Sequence, residues 1–217
     1  VPSINDIGFQ VLNQLKTATV PVLYIVGSQS NIPAYNNLMT GLVIPPSMSS
    51  FNEATGILNP EFSLFSLGPE IEHMIAEFPP LNVPFSQYKV GNAAQVLVYQ
   101  KIGNVNTRIP LIVFNQGTDR KSATITGEGI WRWRLSNYAK VGNQLAFDEL
   151  ITRIVQYLAV KEDKSQFRVI LKNNFMENET VEIDAELYND SYQLVNKPEV
   201  NIVLTDENKK NYPYAFT

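Results

Sequence analysis

Cysteine is absent from the 217-residue chain, and histidine occurs once, as His73. Without a thiol the chain can form no disulfide, no zinc–thiolate site and no cysteine nucleophile. A single histidine likewise excludes a site built from several histidines of this chain. We therefore predict no metal site, no cofactor and no catalytic residue of these kinds.

Positive charge is also scarce, with 17 lysine and arginine residues against 21 aspartate and glutamate residues and a net charge of −4. Nucleic-acid binding requires a basic surface, so we expect no nucleic-acid partner. No apolar run reaches the roughly 18 residues of a membrane-spanning helix, which predicts no direct membrane insertion. The abrupt ends at Val1 and Thr217 predict a piece of a longer protein.

Apolar residues make up 44% of the chain and fall into runs that predict strands. The run VPVLYIVG at residues 20–27 ends at a glycine, which is typical of a buried, parallel strand. AQVLVYQKIG at residues 94–103 predicts another strand, and residues 109–117 and 122–129 predict an antiparallel hairpin. Residues 42–60 are rich in Pro, Ser and Asn and predict a loop.

Helical spacing of apolar residues occurs between these strands. It predicts helices within residues 3–16, 28–41, 67–80 and 143–160. The last has the clearest apolar stripe, formed by Phe147, Leu150, Ile151, Ile154 and Leu158. Alternating strands and helices predict a doubly wound, three-layer α/β domain over residues 1–162.

After the charged segment KEDKSQ, residues 161–166, the apolar period changes from 3.6 to 2. QFRVILK, VEIDAELY and VNIVLT each alternate between apolar and polar positions, as half-buried strands do. Only about 50 residues remain, against roughly 100 in a full immunoglobulin-like sandwich. We therefore predict a partial all-β, immunoglobulin-like sandwich over residues 163–217.

The segment TGEGIWRWRLSNY holds both tryptophans of the chain. If it is extended, Trp131 and Trp133 share one face, and Arg132 and Arg134 share the other. Those four side chains and Glu128 would then form a ligand or partner surface, in which the aromatic rings stack and the arginines bind an anion.

A structural interpretation of the same segment is favoured, because large aromatic side chains are usually core or interface anchors. It predicts that at least one tryptophan packs under the long helix, near Phe147, Ile151 and Ile154. It also predicts that Glu128 pairs with one of the two neighbouring arginines.

Two other patterns have weaker support as sites. Ser28 follows a strand, but its context departs from the G-x-S-x-G nucleophile elbow, so Ser28 or Ser30 is predicted to cap the next helix. Glu70 and His73 have the spacing of a helical metal-ligand pair, yet such sites need several pairs. We interpret that pair as part of a solvated helix face.

Five stretches together resemble one known family. They are similar to the class I glutamine amidotransferase-like domain of Bacteroidetes membrane proteins of the von Willebrand factor A type, and they cover most of the chain. The stretches are LYIVGSQSNIPAYNNL, NPEFSLF with FPPLNVPF after it, GEGIWRWRLSNY, FDELITRIVQYLAVKEDKSQFRV and VEIDAELYNDSYQLVN.

This resemblance implies a flavodoxin-like fold for residues 1–162. Active members of the class use a cysteine nucleophile with a histidine and an acid, and this chain has no cysteine to match. The resemblance therefore implies a pseudoenzyme. It also implies a membrane anchor elsewhere in the full protein, a periplasmic location, and partners among other domains of that protein or other envelope proteins.

Three functions remain open from the sequence. The first is a non-catalytic interaction or structural module of a larger cell-envelope protein. The second is a hydrolase or transferase with an unrecognised site, such as Ser28 with Glu128. The third is a carbohydrate- or anion-binding module that uses the two tryptophans and two arginines.

Overall fold

The computed structural model describes residues 1–3, 6, 8–46, 51–117, 120–160, 167–172, 174–188, 194–195 and 200–215. The chain divides into two compact units, Val1–Lys161 and Glu162–Thr217. The charged segment predicted to separate two domains, residues 161–166, lies outside the described residues.

The described part of the first unit contains both helices and strands. In chain order they are α1 (Gly8–Gln14), β1 (Val22–Ile25), α2 (Ile32–Asn36), β2 (Leu42–Val43), β3 (Phe51–Leu58), α3 (Pro69–Glu77), β4 (Leu81–Pro84), β5 (Lys89–Val90), β6 (Ala94–Ile102), β7 (Val105–Gln116), β8 (Lys121–Ile125), α4 (Trp131–Val141) and α5 (Leu145–Ala159). The predicted strands β1, β6, β7 and β8 and the predicted helices are therefore confirmed.

Six strands form one mixed sheet in the order β1-β8-β7-β6-β3-β4. Only β1 and β8 pair in parallel, and the other four neighbouring pairs are antiparallel. The predicted parallel strand β1 and the predicted antiparallel hairpin of β7 and β8 are confirmed. The doubly wound arrangement is wrong for the sheet as a whole, because doubly wound sheets are mostly parallel. Short connections between β6, β7 and β8 account for the difference, since a tight turn can join only antiparallel neighbours.

The predicted loop at residues 42–60 is also wrong, because it contains β2 and β3. The first half of β3 pairs with β4, and its second half pairs with β6. Its sequence, FNEATGIL, has polar and glycine positions that weaken the strand pattern. Pairing with strands on both sides stabilises β3 where local preference does not, as is common for strands.

Apolar residues cover both faces of the six-stranded sheet. Along β7, Ile112 and Phe114 belong to one buried cluster and Val113 to the other, as the two-residue period of a strand requires. Helices α3, α4 and α5 contribute to the first cluster, and α1 and α2 to the second. The predicted stripe of α5 is confirmed, with its residues buried or packed against the first cluster.

The described part of the second unit contains β9 (Phe167–Ile170), β10 (Asp184–Leu187), β11 (Asn201–Thr205) and β12 (Asn211–Ala215). The first two strands form one antiparallel pair and the last two form another. The three predicted strands correspond to β9, β10 and β11, while β12 was not predicted. A sandwich requires two packed sheets, and that arrangement stays a prediction for this unit.

Among the helices that the structure describes, none combines the length and the apolar character that crossing a membrane would need.

Candidate functional site

Within the segment that holds both tryptophans, residues 131–138 belong to α4, so the extended chain on which a shared face of the two tryptophans depends is not formed. Gly129 has a positive φ of 99°, a conformation that favours glycine and ends the preceding extended chain. Arg132 N then donates to Gly129 O at 2.9 Å, and Trp133 N donates to Ile130 O at 3.0 Å, which starts α4. Two residues on a helix are about 200° apart, so the tryptophans cannot share a face.

The two tryptophans consequently have opposite environments. Trp133 is completely buried, whereas the side chain of Trp131 is 62% exposed. The Trp133 ring stacks on Phe78 at 4.8 Å between centroids, and its Nε1 donates to Pro79 O at 2.8 Å. Trp133 belongs to the same buried cluster as Ile154, so the prediction that at least one tryptophan lies in the core is confirmed, while its direct packing against the α5 stripe stays a prediction.

The predicted pairing of Glu128 with a neighbouring arginine is wrong. The carboxylate of Glu128 instead accepts hydrogen bonds from Ser28 N at 2.8 Å and from Ser28 Oγ at 2.9 and 3.0 Å. Arg134 Nε lies 3.7 Å from Asp148 Oδ1 on α5. Within the part of the chain that the structure describes, Arg132 Nε is buried without a hydrogen-bond partner.

Parallel pairing of β1 and β8 brings Ser28 and Glu128 together across 100 residues of sequence. Ile25 and Ile125 are register partners at the ends of these strands. Ser28 and Glu128 each follow their strand by the same three residues, so both lie at its carboxyl edge. Ligand sites of α/β sheets are commonly found at that edge. This equal spacing was the sequence signal for the pair, but it predicts a contact only when the pairing and register of β1 and β8 are known.

The Glu128 carboxylate is ionised and firmly held. The hydrogen bond from the Ser28 backbone is the largest cause that lowers the Glu128 pKa, with further contributions from the Ser28 and Asn82 side chains and the charge of Arg132. Partial burial opposes this effect. A carboxylate with a lowered pKa is a weaker base. Glu128 is therefore better suited to stabilise the turn at Ser28 than to remove the proton of the Ser28 hydroxyl.

Neither serine caps α2, which corrects another prediction. Asn31 is the N-cap of α2, and its side chain accepts a hydrogen bond from Ala34 N at 3.1 Å. Ser30 Oγ instead accepts from Gly27 N at 2.9 Å. Both serines therefore form hydrogen bonds in the turn that follows β1, and Asn31, the residue directly before α2, caps the helix.

Glu70 and His73 lie on the exposed face of α3, as predicted. His73 Nε2 lies 3.1 Å from Glu77 Oε1, and both side chains are exposed. Among the described residues, no group of three or more His, Asp or Glu side chains is placed to hold a metal ion.

The outer side of α4 carries an exposed apolar stripe. Trp131, Leu135 and Tyr138 are 62%, 57% and 58% exposed, and they recur at the spacing of one helix face. The opposite side is packed, with Trp133 and Asn137 fully buried. We call the three exposed residues the α4 stripe.

A surface pocket adjoins the first turn of α4. It is lined by Glu128, Gly129, Trp131 and Arg132. Of the five side chains predicted to form a ligand or partner surface, three therefore meet at this pocket, Trp133 is in the core, and Arg134 is exposed beside the α4 stripe. The sequence analysis did not identify Leu135 and Tyr138, although their spacing from Trp131 was a readable signal.

The fold and this site define a mixed α/β protein with a clamped strand-end turn and an apolar helix face in solvent. No protein-family model matches the chain, and no curated protein matches it significantly.

The lowered pKa of Glu128 predicts a specific acid sensitivity. A carboxylate with a depressed folded-state pKa stabilises the protein above its ordinary pKa of 4.5, and this stabilisation is lost as the pH falls through the depressed value. We expect Glu128→Gln to flatten the decline in stability as the pH falls below the ordinary pKa of 4.5, measured by urea unfolding. The exposed Glu61→Gln variant is the control, and a Glu128→Gln curve parallel to wild type would contradict the assignment.

Proposed function

We propose that the chain is a non-catalytic interaction module of a larger cell-envelope protein and that it docks through the α4 stripe. The observation that carries the proposal is the exposed row of Trp131, Leu135 and Tyr138 on a helix whose opposite face is already buried. Tryptophan and tyrosine are enriched among the residues that dominate binding energy at protein interfaces. A contiguous apolar surface of this kind is typical of an interaction site.

The rigid attachment of α4 supports this role. Trp133 fixes the inner face of the helix to the core, and Asn137 Oδ1 accepts a hydrogen bond from Phe147 N at 2.9 Å near the start of α5. Lys140 Nζ contacts Glu77 Oε2 at 2.9 Å at the other end of α4. A helix held at several points presents its outer side chains with little loss of freedom on binding, which favours affinity.

A hydrolase or transferase is the second candidate, favoured by the hydrogen bond between Ser28 and Glu128. The serine would need a base to remove its proton. Glu128 is a poor base because its pKa is lowered, and the only histidine faces Glu77 on α3. The geometry therefore supports a structural clamp better than a catalytic pair.

A carbohydrate- or anion-binding module is supported less well. The rim of two tryptophans that this function would use is not formed, since Trp133 is in the core. The remaining pocket places the carboxylate of Glu128 beside Trp131 and Arg132. That negative charge disfavours an anionic ligand at the same position.

The wider setting of the module is proposed from the resemblance. Helices on both faces of the sheet and the one parallel pair, β1 and β8, are compatible with an amidotransferase-like, three-layer scaffold that has lost its catalytic residues. The second unit is proposed to be part of an immunoglobulin-like sandwich. Other parts of the full protein would provide the membrane anchor and place this piece on the periplasmic side.

Site-specific photo-crosslinking in cells that produce the full-length protein tests the docking role. A benzophenone amino acid at position 135 should give a discrete protein adduct, because that side chain lies in the α4 stripe. The same probe at position 105 is the matched control, since Val105 lies on β7, outside the α4 stripe, and is comparably exposed.

The adduct should disappear when Tyr138→Glu places a charge in the α4 stripe. Equal labelling from positions 135 and 105, or an adduct unaffected by Tyr138→Glu, would contradict docking through α4. Ester hydrolysis by the purified chain that is abolished in Ser28→Ala would contradict the non-catalytic part of the proposal.

A further inference from the structure

The first unit has another surface pocket, which contains no residue of the α4 stripe. Its volume is about 360 Å³, within the usual range of small-molecule sites. We call it the β3–α3 pocket; its walls include Leu58, Phe62, Phe65, Ser66, Glu72 and Leu97. We infer that the β3–α3 pocket binds a small organic ammonium ion with an apolar body. This ligand site is independent of docking through the α4 stripe.

Most of the wall of the β3–α3 pocket is apolar. Phe62 and Phe65 are half-buried, and their rings meet edge to face with 4.9 Å between centroids. Both rings pack on the buried ring of Phe114, at 5.5 and 5.4 Å. Leu58 and Leu97 line the same pocket. Apolar walls with a few polar groups are typical of small-molecule sites, and these side chains would contact the apolar body of a ligand.

The connection between β3 and α3, which forms one side of the pocket, is held by hydrogen bonds to β6. Asn59 N donates to Leu97 O at 2.9 Å, and Asn59 Nδ2 donates to Val96 O at 2.7 Å. Ser63 N and Ser63 Oγ donate to Gln95 Oε1 at 3.3 and 3.2 Å. The pocket is therefore formed without a ligand, which lowers the free-energy cost of binding.

Glu72 is the only charged residue among the described residues that line the pocket. Its side chain is exposed, and within the described part of the chain its carboxylate forms no hydrogen bond and no ion pair. Residues 59–72 also contain Glu61 and Glu70 and no basic residue. The charge at the pocket is therefore negative and has no internal counter-ion, so a cationic group is its complement.

Lys121 shows that the aromatic cluster next to the pocket accommodates an ammonium group. Its Nζ lies 4.6 Å from the centroid of the Tyr157 ring, and that ring packs on Phe65. The same Nζ donates to Val160 O at 3.1 Å, and Lys121 does not line the pocket. The ammonium of a ligand would be attracted to the phenylalanine rings of the pocket in the same way.

Neutral and anionic ligands are poorer occupants of the β3–α3 pocket. A neutral apolar molecule would remove water from the Glu72 carboxylate without replacing its hydrogen bonds, which is unfavourable. An anion would be repelled by the same carboxylate. An ammonium ion replaces the lost water with a charge-assisted hydrogen bond.

Binding of phenethylammonium to the full chain, measured by isothermal titration calorimetry and by amide chemical shifts, tests the inference. Phenethyl alcohol and hydrocinnamate keep the phenyl body and replace the ammonium by a neutral group and by an anion. We expect phenethylammonium to bind about tenfold more tightly than either. Its binding should shift the amide signals of residues 62–72 and weaken as salt is added.

Glu72→Gln should lower the affinity for phenethylammonium about tenfold. Glu70→Gln is the matched control, because it removes a carboxylate from the same helix and Glu70 does not line the pocket. Ser66→Trp places a large side chain at an exposed position of the pocket wall and should abolish binding. Thermal unfolding confirms that each variant is folded before its affinity is compared.

Equal affinities for the three probes, or the same affinity in Glu72→Gln and Glu70→Gln, would overturn the recognition of an ammonium ion by Glu72. Binding that survives Ser66→Trp would place the ligand outside this pocket. Absence of binding up to about 10 mM phenethylammonium, where a site with a Kd of about 1 mM is mostly occupied, would overturn the ligand site altogether.

Discussion

Replacing Trp133 by alanine should lower the free energy of unfolding of the first unit by about 3–5 kcal/mol. The ring is fully buried, stacks on Phe78 and donates a hydrogen bond to Pro79 O. Alanine would leave a large cavity beside Phe78 in the core, and it would leave the partly buried carbonyl of Pro79 without its donor. Urea unfolding of the full chain, followed by the remaining tryptophan fluorescence and by circular dichroism, measures the change.

Trp131→Ala is the matched control, because it removes the same side chain from the exposed position two residues earlier. Its effect on stability should stay within about 0.5 kcal/mol, as for most surface substitutions. Equal losses for the two variants would show that α4 is not oriented with one tryptophan inside and one outside. The α4 stripe would then lose its basis as a docking surface.

Adding a methyl group at Gly27 should cost about 1–3 kcal/mol, the usual range for overpacking. A Cβ built on Gly27 would lie 2.4 Å from Glu128 Oε2 and 2.9 Å from Glu128 Cβ. The carboxylate would have to move and would lose its hydrogen bonds to Ser28. Gly27→Ala should therefore break the hydrogen bonds between Ser28 and Glu128 at the ends of β1 and β8. Urea unfolding measures the resulting loss in the free energy of unfolding.

A double-mutant cycle separates this clash from other effects of the substitution. Glu128→Ala removes the carboxylate and keeps only the Cβ contact at 2.9 Å. If the carboxylate is the main obstacle, Gly27→Ala should cost less in the Glu128→Ala background than in wild type, so the two effects should be non-additive. Additive losses would mean that Gly27 is needed for its own backbone conformation. Asn31→Ala, which removes the α2 cap beyond this turn, provides a nearby comparison of about 1 kcal/mol.

These two predictions concern the parts of the structure on which the functional proposal depends. Trp133 sets the rotation of α4 and so decides which side chains face solvent. The hydrogen bonds between Ser28 and the Glu128 carboxylate fix the turn that precedes α4. A partner surface on α4 is therefore positioned by residues that the partner would not touch.

Several elements could be predicted from the sequence because their determinants are local. The strands β1, β6, β7 and β8 are continuous or alternating apolar runs ended by turn residues, and such runs have few other stable conformations in water. Helix α5 has an apolar stripe with a period that only a helix places on one face. The absence of cysteine likewise excludes cysteine-dependent chemistry for this chain, whichever fold it adopts.

Tertiary structure decided the features that depend on a second segment. FNEATGIL becomes strand β3 because β4 and β6 pair with it, although its own pattern is weak. The choice between strand and helix for WRWRL follows from the positive φ of Gly129 and from the stacking of Trp133 on Phe78. A two-residue spacing puts both tryptophans on one face of a strand and on opposite faces of a helix, so this choice alone determines the surface.

The pairing of Ser28 with Glu128 shows the same division. The sequence supplies a hydroxyl and a carboxylate, each three residues beyond an apolar run. The two strands pair in parallel and end side by side, so residues three positions beyond each end become neighbours, and Ser28 Oγ lies 3.0 Å from Glu128 Oε1. The sequence determined which segments form strands and helices, because hydrophobic periodicity acts within a few residues. A contact across 100 residues, such as that between Ser28 and Glu128, depends on which strands pair and in which register. Strand pairing is decided only in the folded chain.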